Sequence, residues 1–219
     1  MKKCIIFGNH SFSELMCEYI ENYMDIRVEA FTVNSSYINC KKIMGIDVVP
    51  YENLKESYSP KETSILVTSG YRGMSELRKR ISLEVLEMGY SLQSFIHPSA
   101  NLYGDRIGQG NIILENVIIG KHVCIGDGNI LWNGVNISHH SIINNYNFLA
   151  PSCVIGGRVH MGDNCFCGLN STIKGGINVE NYTLIGASAY LDRDSKEYDV
   201  YVPGVRGELQ NKNSLEMLR

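Results

Sequence analysis

The chain has 219 residues, 44% of them hydrophobic and 20% charged, with a formal net charge of −3. That length admits one large domain or two small ones, and the composition is that of an ordinary globular chain. The slight acidic balance argues against a generic nucleic-acid binder, which shows a basic excess, and no apolar run approaches membrane-spanning length.

The first eight residues hold two lysines and too short an apolar stretch for a signal peptide. Seven cysteines, at 4, 17, 40, 124, 153, 165 and 167, form neither a CxxC pair nor a zinc spacing. They are expected to be reduced thiols of a cytoplasmic protein, without a disulfide scaffold. Residues 3–7 are an apolar run that stops at Gly8, and residues 12–23 carry apolar side chains at helical spacing. Residues 28–33 read as a second strand and 64–68 as a third, closed by Ser69-Gly70. Met74, Leu77, Ile81, Val85 and Met88 recur in steps of three and four with arginines and lysines between them, an amphipathic helix ended by Gly89. Residues 91–96 read as one further strand. This alternation predicts a small parallel α/β sheet with helices on its faces, a Rossmann-like domain over residues 1–95.

From Ile107 a different rule holds. Every sixth residue up to Leu191 is Ile, Leu or Val in thirteen of fifteen cases, where composition would supply about four. Glycine follows the key residue seven times, and small or β-branched residues such as Val117, Val135, Cys153 and Thr183 stand four places after it. No insertion breaks the count, so this is a hexapeptide repeat, and a repeat outranks local propensity. One unit is a short strand plus a turn, and three units close a triangular coil of 18 residues. The key aliphatics then point inward, and each coil buries its apolar edge only against its neighbours. Fifteen units make five coils, which at about 4.8 Å per coil stand roughly 24 Å tall. Residues 96–219 are therefore expected to form an all-β prism with a C-terminal tail.

In this frame Asn111, Asn129 and Asn147 form one column, a hydrogen-bond ladder in prospect. His122, His140 and Arg158 form a second column on an outer face, and Lys121, His139 and Gly157 a third. The cationic column suits phosphates or is simply a solvated face. Imidazoles also bind zinc, but no carboxylate or cysteine pair stands at ligand spacing, so no metal is expected. His139 stands past its corner with its ring outward. Periodicity alone leaves it a surface histidine or, since histidine titrates near physiological pH, a general base. In the first half, Gly8-Asn9-His10-Ser11 follows a strand and opens a helix, where backbone N–H groups receive phosphate. It is not GxGxxG, and Asn34 stands where an acid would hold the ribose of NAD, which disfavours a dinucleotide oxidoreductase. A tight connecting turn explains the segment as well. Gly156-Gly157 and Gly175-Gly176 either admit a ligand close to the backbone or serve the corners.

Nearly the whole chain resembles the bacterial sugar acyltransferases of the NeuD/PglD family. The resemblance is carried by Ile6-Phe7-Gly8-Asn9-His10, Thr68-Ser69-Gly70-Tyr71, Phe95-Ile96-His97-Pro98-Ser99-Ala100, Ile137-Ser138-His139-His140-Ser141-Ile142 and Tyr201-Val202-Pro203-Gly204-Val205-Arg206. It implies a left-handed parallel β-helix, a homotrimer, and acetyl-CoA bound in grooves between prisms. It implies His139 as catalytic base, with His140 the second catalytic candidate. Gly157, Gly175 and Arg206 are the coenzyme candidates, and Gly8, Asn9, His10, Asn34, Gly70 and Tyr71 the candidates for holding the nucleotide of an activated sugar. One place departs from the pattern: many members carry Glu or Asp directly after the base, and here His140 brings no carboxylate charge.

Acetyl transfer from a thioester needs a base to take the acceptor's proton, donors for the oxyanion, and a positioned coenzyme that carries the activated group. The resemblance thus implies N-acetylation of a nucleotide-linked amino sugar for surface polysaccharide or glycan synthesis, including O-antigen and lipopolysaccharide. One alternative is O-acetylation of a sugar hydroxyl, of the sialic-acid type. Another is a non-catalytic hexapeptide-repeat protein that binds a sugar nucleotide.

Overall fold

The computed structural model describes residues 2–204. Its first part runs β1 (Lys2–Phe7), α1 (Ser11–Tyr23), β2 (Ile26–Val33), β3 (Lys42–Ile43), β4 (Ile46–Pro50), α2 (Leu54–Ser57), β5 (Thr63–Val67), α3 (Glu76–Glu87) and β6 (Ser91–Leu92). These strands form one sheet in the order β3-β4-β2-β1-β5-β6, parallel except for β3 against β4. The central β1 is a continuous buried run, Cys4 to Phe7, as a strand covered on both faces must be. The β3–β4 hairpin was not foreseen. It turns through Met44 and Gly45, both at positive φ (51° and 82°), the backbone a two-residue hairpin requires.

The stripe expected on the third helix is rotated. Met74 and Ser75 lie in the left-handed region (φ 52° and 64°), so the helix starts only at Glu76. Leu77 is exposed, while Ile81 and Val85 are buried together with Arg78 and Ser82. Residues 91–96, expected as one strand, are two: Ser91–Leu92 pairs with β5, and Phe95–Ile96 pairs with Ile112–Ile113 in another sheet.

The second part is a parallel β-helix of triangular section. Among the described residues its two-residue strands lie in three sheets of seven, six and five, six coils rather than five. Interior register advances by eighteen residues, as in Ile112↔Ile130↔Phe148↔Phe166↔Leu184. The sixth-residue side chains fill the interior from Ile113 to Leu191, with Ile107 packed against them. The extra coil escaped the count because its spacing is irregular. Leu102 to Ile107 is five residues, and the last step, Leu184↔Val200, is sixteen.

One face, built on Phe95, Ile112, Ile130, Phe148 and Phe166, is docked against the α/β domain. Phe12 stacks on Trp132 at 5.1 Å, Tyr19 on Phe95 at 5.4 Å, and Tyr71 meets Phe148 and Phe166, each at 4.9 Å. Arg78 rivets the joint. Its guanidinium, fully buried, donates to the carbonyls of Ser69 and Gly70 on one side and of Gly128, Tyr146 and Asn147 on the other. Burial lowers its pKa, yet carbonyls only accept, so these bonds require the protonated guanidinium. No described helix is long and apolar enough to cross a membrane.

Candidate active site

The two catalytic candidates occupy residues 138–141, the corner between the two prism faces not docked on the α/β domain. Ser141 ties this corner to the next coil: its hydroxyl donates to the Gly156 carbonyl (3.0 Å) and accepts from Val159 N–H (3.2 Å). His122, His140 and Arg158 all take the left-handed conformation (φ 62°, 59° and 59°) at equivalent places, and Gly176 continues the column (φ 79°). That backbone turns the corner and projects the side chains outward. Backbone bonds lock the coils in step: His140 N–H to Lys121 O, Arg158 N–H to His139 O, and Gly176 N–H to Gly157 O.

His139 is exposed, and its ring lies directly over Gly157. A Cβ at that glycine would stand 2.8 Å from Cε1, 2.9 Å from Nε2 and 3.2 Å from Nδ1 of the ring. The column Lys121–His139–Gly157 was legible in the sequence; the seat that Gly157 provides for the imidazole was not. Gly175 packs in turn on Gly157, where a Cβ would come within 2.8 Å of the Gly157 carbonyl oxygen. The result is a strip of backbone without side chains beside the His139 ring.

His139 Nδ1 is 3.0 Å from His140 Nδ1, with the rings edge to face. His140 in turn lies against His122, ring centroids 4.7 Å apart, and His122 Nδ1 is 3.3 Å from Asp105 Oδ2. Desolvation first, then His122, His139 and Arg158, lower the pKa of His140 against the opposing pull of Asp105. The carboxylate missing after His139 therefore stands two rings away. Sequence reading missed Asp105 because it precedes the regular repeat. Among the described residues no group of three His, Cys, Asp or Glu side chains is placed to hold a metal ion.

The nucleotide candidates gather elsewhere, at the C-terminal ends of β1, β2 and β5. Strand order reverses between β1 and β5, the place where open α/β sheets form a binding crevice. Gly8 (φ 144°) is obligatory here, since a Cβ would lie 2.3 Å from Ser13 Oγ and 2.4 Å from Thr68 Oγ1. Those two hydroxyls share a 2.8 Å hydrogen bond, and Thr68 Oγ1 donates to Phe7 O. Asn9 Nδ2 donates to Tyr37 O. His10 sits at the N-cap of α1 without a side-chain capping bond, its pKa lowered chiefly by desolvation. Asn34 Nδ2 donates to Glu52, whose carboxylate also accepts from Ser35 N–H. An acid thus stands at the end of β2 after all, supplied by the turn after β4. The sequence reading missed it because it missed β4. Gly70 lends its carbonyl to Arg78, and Tyr71 packs on the prism.

The structure thus brings together Gly8, Asn9, His10, Asn34, Gly70 and Tyr71 at one sheet edge, and His139, His140 and Gly157 at one corner, with Gly175 beside Gly157. Within one chain it does not join the two groups, because the histidine corner is opposite the docked face. Arg206 lies outside the described residues.

No family model matches the chain. Solved structures do resemble it. The acetyltransferase domain of PglB from Neisseria gonorrhoeae superposes with a TM-score of 0.80 at 19% identity, over 93% of this chain and 100% of that one. A mutant perosamine N-acetyltransferase from Caulobacter crescentus, in complex with CoA and GDP-perosamine, gives 0.80 at 22%, over 96% and 97%. WeeI from Acinetobacter baumannii gives 0.80 at 15%, over 92% and 96%. The likeness establishes the fold expected from the sequence, an α/β domain followed by a left-handed parallel β-helix.

Proposed function

We propose that this chain is an acetyl-CoA-dependent N-acetyltransferase acting on the amino group of a nucleotide-linked sugar, with His139 as general base. The observation that carries the reading is the seating of His139. Its ring is exposed on a side-chain-free glycine strip, and its Nδ1 is engaged by His140, which leaves Nε2 to face an acceptor. The structural neighbours support the class: one is described in complex with acetyl coenzyme A and another with CoA and GDP-perosamine.

The coenzyme candidates Gly157 and Gly175 lie beside the base, Gly157 under the His139 ring and Gly175 packed on Gly157. Arg206 is the third coenzyme candidate. When bound, acetyl-CoA supplies an acyl group already activated as a thioester. His139 Nε2 takes a proton from the acceptor nitrogen as its lone pair attacks, and returns it to the departing thiolate. The β1, β2 and β5 loops hold the nucleotide. Because those loops and the histidine corner lie on opposite sides of one prism, a homotrimer completes the site, with loops of one subunit beside His139 of the next. Exposed Ile118, Val154, Tyr190 and Ile142 on the two undocked faces are the apolar surface such packing would cover. Without a carboxylate next to His139, an amine is the easier acceptor than a hydroxyl. The reading places the protein in the cytoplasm, in surface-glycan synthesis.

The test is thiol release from acetyl-CoA with a panel of UDP-, dTDP- and GDP-linked amino sugars, the protein's own thiols blanked. His139→Ala is expected to lower kcat by about a hundredfold or more. Unchanged turnover would overturn the base assignment. Silence across the panel and across hydroxyl acceptors would favour a sugar-nucleotide binder.

A further inference from the structure

We propose that His140 is a positioning residue: its bare Nδ1 accepts a hydrogen bond from His139 Nδ1–H and so keeps His139 in the tautomer whose Nε2 is free to act as a base. The inference rests on His139 being that base. It starts from a constraint of geometry. Two ring nitrogens 3.0 Å apart cannot both be bare, since their lone pairs repel, and cannot both carry hydrogen. One proton lies between them. With that proton on His139 Nδ1, neutral His139 has a bare Nε2. With it on His140, neutral His139 carries its proton on Nε2 and has no outward base. A doubly protonated His140 enforces the second arrangement, because it can only donate.

The groups around His140 oppose that doubly protonated form. His122 packs against it from the coil below with the rings tilted at 45°, Arg158 stands at the equivalent place one coil above, and His139 lies beside it. Lys121 follows the same corner and accepts the His140 N–H on its carbonyl. Among the described residues Asp105, beyond His122, is the one carboxylate acting on His140, and its pull is outweighed. Desolvation first, and then these neighbours, lower the pKa of His140 and so favour its neutral, accepting form. Once His139 has taken a proton from the acceptor, the same bond becomes charge-assisted and stronger. A neutral imidazole does here what a neighbouring carboxylate does by charge.

The left-handed backbone at His140 (φ 59°) makes clean tests possible. Glycine removes the side chain at no steric cost and aspartate is tolerated there. Nitrogen-15 NMR of the histidine rings reads the tautomer on the full chain without any substrate. In the wild type above pH 7, His139 is expected to carry its proton on Nδ1. In His140→Gly it moves to Nε2, kcat falls about tenfold to a hundredfold, and KM stays within about twofold. His140→Asp, an acceptor at this pH, restores the Nδ1 proton and most of kcat, and moves the acidic limb of the kcat/KM profile up by about one unit. An Nε2 proton on His139 in the wild type would overturn the proposal. So would an unchanged tautomer in His140→Gly, or failure of His140→Asp to restore it. A fully active His139→Ala alongside the expected tautomers would sink the base assignment alone.

Discussion

Two corners of the prism share one eighteen-residue register and use their polar side chains in opposite ways. At the corner beside the docked face, Asn111 Oδ1 accepts from Asn129 N–H, Asn129 Oδ1 from Asn147 N–H, and Asn147 Oδ1 from Cys165 N–H. A second ladder runs through Asp127, Asn145, Asp163 and Asn181, each accepting a backbone N–H eighteen residues earlier in the chain. Arg78 closes that corner from the α/β domain. At the histidine corner Ser141 makes such a step, while Lys121, His122, His139, His140 and Arg158 stay exposed. The lesson is about cover. A buried polar group needs its partners inside the protein, so the docked corner uses its amides for structure. The open corner is under no such demand, and its ring nitrogens stay available for chemistry.

The largest expected effect lies at the covered corner. Arg78→Met leaves carbonyls of both domains buried without donors, at about 3 kcal/mol or more, so the thermal midpoint should fall by on the order of 10 °C. A midpoint unmoved in calorimetry would mean that the aromatic contacts alone hold the domains. At the open corner the response should be kinetic. Gly157→Ala puts a methyl into the seat of the His139 ring, and a displacement near 1 Å costs about a hundredfold in turnover. Stability should change by no more than about 0.5 kcal/mol. Equal loss of fold and activity would erase the contrast between the corners.

The smallest effect is a pH dependence. His10 and His140 both have lowered pKa values in the folded chain. The unfolded chain therefore binds more protons below the ordinary histidine value of about 6.5, so stability falls as pH drops through that value toward the lowered ones. Urea midpoints at pH 7.5 and 5.5 should show the decline, and His140→Gly should reduce it. A higher midpoint at pH 5.5 would contradict both shifts.

Much of this was legible residue by residue. Ile113 to Leu191 announced the prism through a period that no helix shares, and the neighbours His139 and His140 marked the candidate corner within it. Arg78 was hidden because its helical spacing places it among ordinary surface cations; only docking buries it. Glu52 was hidden with β4, a short strand of half-exposed residues. Leu92 and Phe95 read as one strand because both are apolar, although they serve different sheets. The Nδ1 contact of His139 with His140 follows from the left-handed corner backbone, which sequence adjacency does not reveal.

By itself the sequence determined the coil register, the inward aliphatics and the columns at each corner, because a six-residue period repeats the same local environment at every turn. Which corner is sealed and which stays open was decided only by tertiary structure. Arg78 reaches partners 50 to 69 positions away across the domain joint, and the desolvation that makes one cation a rivet while Arg158 stays exposed at the histidine corner depends on contacts at that range, which no local pattern encodes.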